Sequence, residues 1–304
     1  MAIVGAGAVS GLMASWLSGA GQPPPVVCAR SPFASFTIIG DGSGHRKTRH
    51  YPVAVVTSAD AVSPVDWVLV TVNGEDTAEA KPWLDALADQ DTIVVVLQDG
   101  VDQVERVESI TAAAEIVPAL IYAVAERTGR TRCTTIRHPL GALLKVPNTS
   151  AGRAFAQLMS GGVHVATSDD FLTESWRKLM IDIGASPIAA LTRRDAGGVR
   201  VPLVERLCAR LLAEIRSVGY AVGALLTDAD VDDVMWLHTC YPDDIGSRAL
   251  DDPLVGRPVE CGLLLGAVVR AARSHNITVP LAETLFALTT TAGDRHRPEG
   301  RQGR

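Results

Sequence analysis

The first eleven residues join a short apolar strand to a glycine-rich turn that could bind a phosphate. Gly5 follows Met-Ala-Ile-Val and would let the chain turn tightly at the end of that strand. Gly7 has no side chain, so a pyrophosphate could approach the backbone and face the first N–H groups of the next helix. Ser10, where a third glycine is usual, is small enough to keep helix and strand close. An ordinary glycine turn without a ligand is the alternative. We interpret the pattern as a dinucleotide site with contacts from Gly5, Ala6, Gly7, Ala8 and Val9.

The end of the second predicted strand indicates which dinucleotide is bound. Sites for NAD usually place a carboxylate there, which accepts hydrogen bonds from the ribose hydroxyls. This strand ends at Arg30 instead, and no carboxylate follows before Asp41. Because a guanidinium pairs well with a 2′-phosphate, Arg30 favours NADP. The alternative interpretation is a solvated arginine at a strand end.

The elements that must position these residues alternate between strand and helix in the first half of the chain. Residues 66–72 and 92–97 read as buried parallel strands, and residues 75–87 read as one helix despite Pro82. After Ser168 the periodicity becomes helical. Four amphipathic segments are predicted there, over 169–192, 201–218, 228–240 and 258–275.

These patterns predict an α/β fold, in which an N-terminal Rossmann dinucleotide-binding domain precedes an all-helical C-terminal domain. The predicted domains are residues 1–167, which would bind NADP, and 168–292, which would hold the substrate. The polar stretch 293–304 is predicted to be disordered.

The composition limits the classes of partner. The chain has 304 residues, 47% of them hydrophobic, and a net charge of −6, which argues against nucleic acid or an anionic membrane surface. No apolar run is long enough to cross a membrane. The five cysteines are scattered without a metal-ligand spacing, so no metal is expected and a reducing cytoplasm is the simplest location. We expect a small-molecule substrate, and the apolar helices leave a homodimer open.

Motifs along nearly the whole chain resemble those of the ketopantoate reductases. The N-terminal part carries Gly5-Ala6-Gly7, Arg30, Leu69-Val70-Thr71-Val72-Asn73, Leu97-Gln98-Asp99-Gly100-Val101 and His138. The helical part carries Ser175-Trp176-Arg177-Lys178-Leu179 and Gly256-Arg257-Pro258-Val259-Glu260. The pairing of Trp-Arg-Lys-Leu with a later Gly-Arg-Pro-x-Glu is the most specific of these features.

The resemblance implies an NADPH-dependent reduction of a 2-keto acid to a 2-hydroxy acid. It makes Lys178 the general acid and Glu260 a second catalytic-site residue that faces the substrate. It also places Val72, Asn73 and Asp99 beside the cofactor. Without the resemblance, Lys178 would be interpreted as an exposed helical lysine and Glu260 as a carboxylate at a helix N-terminus.

Several polar positions depart from the family pattern. The family usually has lysine at Asn73, and asparagine at Asp99, Asp182 and Ser186. It has a second serine after Ser247, where this chain has Arg248. The implied substrate contacts are therefore Asp182, Ser186, Ser247 and Arg248.

These departures change the charge expected around the substrate. Asp182 lies four residues after Lys178, on the same helix face, so it would favour the charged ammonium and weaken the lysine as an acid. Asp99 would repel a carboxylate, and Arg248 could clamp one. A solvated surface pair remains the alternative for Asp182 and Arg248. The hypothesis is an NADPH-dependent reductase for a small keto acid, ketone or imine other than ketopantoate. The alternative is an NADP-binding protein without turnover, as a sensor or a degenerate paralogue.

Overall fold

The structure is a computed structural model, and it describes residues 1–40, 47–111, 115–128, 133–137, 143–192, 200–240 and 257–294. The chain divides into two compact units, the first spanning Met1–Phe171 and the second beginning at Leu172. His138, Ser247, Arg248 and the tail beyond Asp294 lie outside the described residues. The domain limits drawn from the sequence stay a prediction.

The first unit is built on a six-stranded parallel sheet. Its strands are β1 (Ala2–Val4), β2 (Val26–Cys28), β5 (Ala54–Val56), β6 (Trp67–Val70), β7 (Ile93–Val96) and β8 (Glu115–Pro118). They are ordered β5-β2-β1-β6-β7-β8, and Ile3 of β1 pairs with Val27 on one side and Leu69 on the other. All strands run in one direction, so their carboxyl ends meet at one edge, where α/β proteins bind nucleotides.

Two smaller sheets complete the strands of the first unit. One has the order β10-β11-β3-β4 and the other β13-β12-β9. Their strands are β3 (Ser35–Ile39), β4 (Thr48–Pro52), β9 (Leu120–Tyr122), β10 (Val124–Thr128), β11 (Cys133–Arg137), β12 (Leu143–Pro147) and β13 (His164–Ser168).

The helices of the first unit cover both faces of the parallel sheet. They are α1 (Ala8–Gly19), α2 (Lys81–Leu87), α3 (Gln103–Glu108) and α4 (Ser150–Leu158). On one face the buried side chains of Ile3 and Leu69 belong to a core that includes Leu12 and Phe155. On the other face the neighbouring strand residues belong to a core with Leu84. Apolar residues on both faces explain why these strands read as continuous hydrophobic runs.

The helix predicted over 75–87 is wrong as a single element. A 3₁₀ helix spans Gly74–Ala80, and α2 begins at Lys81. Pro82 lies in the first turn of α2, where its missing N–H removes no helical hydrogen bond. The proline therefore marks a helix start rather than the interior position that the sequence suggested.

The second unit is helical in its described part. Its helices are α5 (Phe171–Ile183, which starts at the boundary), α6 (Ser186–Thr192), α7 (Pro202–Ala221), α8 (Asp228–Cys240), α9 (Arg257–Ser274) and α10 (Pro280–Asp294). The segment predicted over 169–192 is broken at Gly184 and Ala185, and α10 was not predicted as a separate helix. Glu214 of α7 caps α10, because its carboxylate accepts hydrogen bonds from the N–H groups of Leu281 and Ala282 at 3.1 and 2.9 Å. The predicted fold class, a Rossmann-type α/β domain followed by a helical domain, is confirmed.

Among the helices that the structure describes, none is both long and apolar enough to cross a membrane.

Candidate active site

The glycine turn after β1 is shaped by the close approach of β6. Gly5 has a φ of +121°, and its N–H donates to the carbonyl of Cys28 at 3.0 Å. A Cβ on Gly5 would lie 2.7 Å from the hydroxyl oxygen of Thr71 and 3.1 Å from the backbone nitrogen of Val72. A Cβ on Gly7 would meet nothing within 4 Å. Gly5 is therefore required by the fold, whereas Gly7 faces open space that a ligand could enter.

Ser10, in place of the third glycine, closes this turn with a chain of hydrogen bonds. The Gly7 N–H donates to Ser10 Oγ at 3.0 Å, and Ser10 Oγ lies 2.8 Å from Thr71 Oγ1. Thr71 Oγ1 in turn donates to the Val4 carbonyl at 2.9 Å. Because Thr71 donates to Val4, it accepts from Ser10. The sequence motif that contains Thr71 gave this residue no role of its own, although its position directly after a buried strand is a signal that could have suggested one.

Arg30 lies two residues beyond the end of β2, at the same edge of the sheet as the glycine turn. Its side chain is 73% exposed, and one guanidinium nitrogen lies 3.7 Å from a carboxylate oxygen of Glu79. The exposed position leaves the guanidinium accessible to a phosphate. A 2′-phosphate contact stays a prediction.

The predicted cofactor residues of the next two strands lie at this edge as well. Val72 is half-buried and Asn73 is exposed, just after β6, while Asp99 follows β7. The sheet order places the ends of β2, β1, β6 and β7 side by side. The first unit therefore brings Gly5–Val9, Arg30, Val72, Asn73 and Asp99 to one edge.

Two further side chains hold the backbone of this edge in place. Gln98 Nε2 donates to the Val72 carbonyl at 3.1 Å and so links the segment after β7 to the segment after β6. Arg106 Nη2 donates to the Asp99 carbonyl at 2.8 Å, and Arg106 also pairs with Asp102 four residues earlier. These contacts fix the backbone that carries Asp99. The sequence reasoning did not assign Gln98 or Arg106 such a role.

In the second unit, Lys178 is a buried side chain rather than an exposed helical lysine. It lies on α5 and is 7% exposed. Its ammonium forms an ion pair with Asp182, one helical turn later, whose side chain is 16% exposed. A buried ammonium needs such a partner, because an unpaired charge would be costly away from water.

The contacts continue from Asp182 to two neighbouring helices. The hydroxyl of Ser186, at the start of α6, donates to the backbone carbonyl of Asp182. The Cys261 thiol, in α9, lies 3.6 Å from Ser186 Oγ. Glu260, half-buried in the first turn of α9, precedes this cysteine. Lys178, Asp182 and Ser186 are therefore linked directly, and Glu260 is next in the chain to Cys261, which contacts Ser186.

Arg177, next to the buried lysine, ties α5 to the start of α8. Its Nε donates to Asp230 at 2.5 Å, and Asp230 also accepts from the N–H and hydroxyl of Thr227 at 2.7 and 2.8 Å. Burial alone would raise the pKa of Asp230, but the hydrogen bonds from Arg177 and Thr227 outweigh it and hold that pKa below its ordinary value. The negative charge on this carboxylate anchors the helix that carries Lys178.

His238 of α8 packs against the C-terminal end of α5 and makes the second unit sensitive to acid. Burial, together with the charge of Arg200, lowers the pKa of His238 from its ordinary value of 6.5, although a hydrogen bond with the Ile181 backbone opposes this shift. A histidine with a depressed pKa is neutral when folded, so the unfolded chain takes up the proton first. Its contribution to stability is present above pH 6.5 and is lost as the pH falls through its folded pKa.

When the pH is lowered from about 7.5 to about 5, we therefore expect the melting temperature of a His238→Gln variant to fall less than that of the parent. Thermal unfolding at the two pH values measures this difference. The exposed His164 supplies a matched control, since His164→Gln should follow the parent at both pH values. Equal losses in the parent and the His238 variant would contradict the assignment.

In the described part of the chain, no group of three or more histidine, cysteine, aspartate or glutamate side chains is arranged to hold a metal ion.

Two family models match the chain, one to each unit. "Ketopantoate reductase PanE/ApbA" matches residues 1–142, and "Ketopantoate reductase PanE/ApbA C terminal" matches residues 170–292. A 2-dehydropantoate 2-reductase of Mycobacterium tuberculosis is 36% identical over 296 residues, covering 97% of this chain and 98% of that protein. One of Caulobacter vibrioides is 33% identical, covering 96% and 98%. A dimeric ketopantoate reductase from Staphylococcus aureus has the same fold, with a TM-score of 0.83 at 22% identity over 97% of this chain and 99% of that one.

Proposed function

Because the chain belongs to the ketopantoate reductase family and is an oxidoreductase acting on a CH–OH group, we propose that it reduces 2-dehydropantoate (ketopantoate) to pantoate with NADPH. The observation that carries this proposal is the 33–36% identity to 2-dehydropantoate 2-reductases over nearly the full length of both chains. The residues matched by the two family models, 1–142 and 170–292, include both the glycine turn and the helix with Lys178.

The expectation that ketopantoate is not the substrate is wrong, and so is the alternative of a protein without turnover. Relatives at this identity and coverage are 2-dehydropantoate 2-reductases, so the replaced polar residues do not mark a different reaction. A physical reason lies in the pairing of Asp182. Its charge is balanced by the ammonium of Lys178 in the folded chain, so the replacement of an amide by a carboxylate does not leave an isolated negative charge.

NADPH is the cofactor that the family uses, and the residues at the sheet edge fit it. The open space in front of Gly7 suits a pyrophosphate, whose negative charge the start of α1 favours. The exposed guanidinium of Arg30 suits the 2′-phosphate. Val72, Asn73 and Asp99 would border the same cofactor. Bound NADPH would supply the hydride.

The proton would come from Lys178. A carbonyl that receives a hydride becomes an alkoxide, and the Lys178 ammonium would protonate that oxygen and become a neutral amine, which solvent then recharges. The carboxylate of Asp182 pairs with the ammonium, and the Ser186 hydroxyl donates a hydrogen bond to the Asp182 backbone carbonyl. Glu260 would bind the hydroxyl of the substrate. Contacts from Ser247 and Arg248 stay predictions of the family resemblance.

A direct assay tests the proposal. Purified protein with 2-dehydropantoate should consume NADPH with saturation, and kcat/KM should exceed that for an unbranched 2-keto acid of similar size by at least about 10-fold. NADH should support a lower kcat/KM than NADPH. A lack of turnover, or a preference for the unbranched acid, would contradict the proposal.

We also infer a homodimer in the cytoplasm. Among the described residues, the exposed large apolar side chains all belong to the second unit: Leu172, Val201, Leu203, Tyr220, Leu225, Trp236 and Leu288. Large apolar side chains, the aromatic ones above all, are common in subunit contacts. Cys28, Cys208, Cys240 and Cys261 are free thiols, as the reducing cytoplasm favours.

A further inference from the structure

A carboxylate lies beside the arginine that the proposed function assigns to the cofactor phosphate. Arg30 Nη1 is 3.7 Å from Glu79 Oε2, and the two side chains are 73% and 45% exposed. An ion pair so exposed and so long is weak, because water screens the charges and holding two flexible side chains together costs entropy. A stronger anion could therefore replace the carboxylate as the partner of Arg30.

The two residues reach each other across the end of β1. Arg30 follows β2, and Glu79 belongs to the 3₁₀ helix Gly74–Ala80 that follows β6. Strand β1 lies between β2 and β6 in the sheet, and it ends at the glycine turn. Glu79 thus places its negative charge at the edge of the sheet where the phosphates of a dinucleotide would lie.

We propose that Glu79 is a specificity-determining residue that limits the preference of this enzyme for NADPH over NADH. The carboxylate offsets part of the charge of Arg30, so a 2′-phosphate must displace it and gains less than it would from a guanidinium without this neighbour. NADH lacks this phosphate and does not compete. The proposal rests on NADPH as the cofactor in the proposed function, and it acts through Arg30.

Binding of two nucleotide fragments to the full chain tests this role without relying on catalysis. Calorimetry would compare 2′,5′-ADP, which carries the 2′-phosphate, with 5′-AMP, which does not. In Glu79→Gln, we expect the affinity for 2′,5′-ADP to rise about 5-fold, because the 2′-phosphate then meets Arg30 without a competing carboxylate. The affinity for 5′-AMP should stay within about 1.5-fold.

Two further variants identify the cause. In an Arg30→Ala background, Glu79→Gln should change the affinity for 2′,5′-ADP by less than about 2-fold, because the carboxylate then has no guanidinium to neutralise. Asp85→Asn is the matched control. It removes an exposed carboxylate that pairs with Lys81 at 2.9 Å on α2, and it should leave both affinities unchanged.

An unchanged or weaker affinity of Glu79→Gln for 2′,5′-ADP would overturn the proposal, as would the full gain persisting in the Arg30→Ala background. Failure of the cofactor assignment is distinguishable from these outcomes. In that case the parent chain itself would bind 2′,5′-ADP no better than 5′-AMP, which would overturn both the NADPH assignment and the role of Glu79.

Discussion

Replacing Lys178 with alanine is expected to lower kcat by about 1,000-fold, because a positioned general acid typically contributes 100- to 10,000-fold. The alkoxide formed by hydride transfer would then have to take its proton from water. The affinity for 2′,5′-ADP should stay within about 2-fold, since the glycine turn and Arg30 belong to the other unit. Steady-state kinetics measure the first effect, and calorimetry with the nucleotide fragment measures the second.

The loss of the ammonium also leaves Asp182 without its ion-pair partner in a largely buried position, so folding must be checked separately. Lys178→Met keeps most of the side-chain volume and should lose activity to the same extent. Small primary amines added to Lys178→Ala should restore part of kcat, which a purely structural role would not allow. Lys81→Ala, at an exposed lysine, is the matched control. Retention of more than about one-tenth of the parent kcat in both Lys178 variants would contradict the role of general acid.

Replacing Gly5 with alanine is expected to weaken the binding of 2′,5′-ADP by more than about 10-fold and to destabilise the chain by at least about 2 kcal/mol. Alanine is strained at a φ of +121°, and its Cβ would press on the Thr71 hydroxyl and on the backbone of Thr71 and Val72. Two of these three contacts are with backbone atoms of the segment just after β6, so rotation of the Thr71 side chain alone cannot relieve them. The expected result is a displaced turn and a lower melting temperature.

The Gly21→Ala control separates the effect of backbone strain from that of a steric clash. Gly21 also has a positive φ, of +72°, but a Cβ there would meet nothing within 4 Å. The free energy of unfolding of this control should fall by only about 1 kcal/mol, from the strained backbone. Its affinity for 2′,5′-ADP should equal that of the parent. Equal effects of the two substitutions on both stability and nucleotide binding would mean that the approach of Thr71 is not what requires a glycine at position 5.

Local patterns of apolar residues in the sequence were sufficient to predict the fold class. The short apolar runs at Trp67–Val70 and Ile93–Val96 predicted buried parallel strands, because such strands carry apolar residues on both faces. The helical periodicity after Ser168 predicted the second unit. Boundaries were less predictable. A proline such as Pro82 can occupy the first turn of a helix or kink the interior of one. Only the structure, in which α2 begins at Lys81, shows that Pro82 lies in a first turn.

The substrate was mispredicted because the polar replacements were interpreted as marks of a different pocket. Asp182 was expected to weaken Lys178 as an acid, whereas in the folded chain the two form an ion pair and the Asp182 backbone accepts a hydrogen bond from Ser186. The spacing of four residues did predict that Lys178 and Asp182 share a helix face. The packing of neighbouring helices decides that both side chains are largely buried. It therefore also decides that their charges are balanced away from solvent.

By itself, the sequence determined the glycine turn, the alternation of strands and helices and the family motifs, because each is a property of residues close together in the chain. Only the tertiary structure decided that Ser10 meets Thr71, which is 61 residues away, and that Glu79 lies beside Arg30. Both contacts arise because β1 lies between β2 and β6, so side chains that follow different strands meet at one edge of the sheet. A parallel sheet brings distant residues together through its strand order, which no short stretch of sequence records.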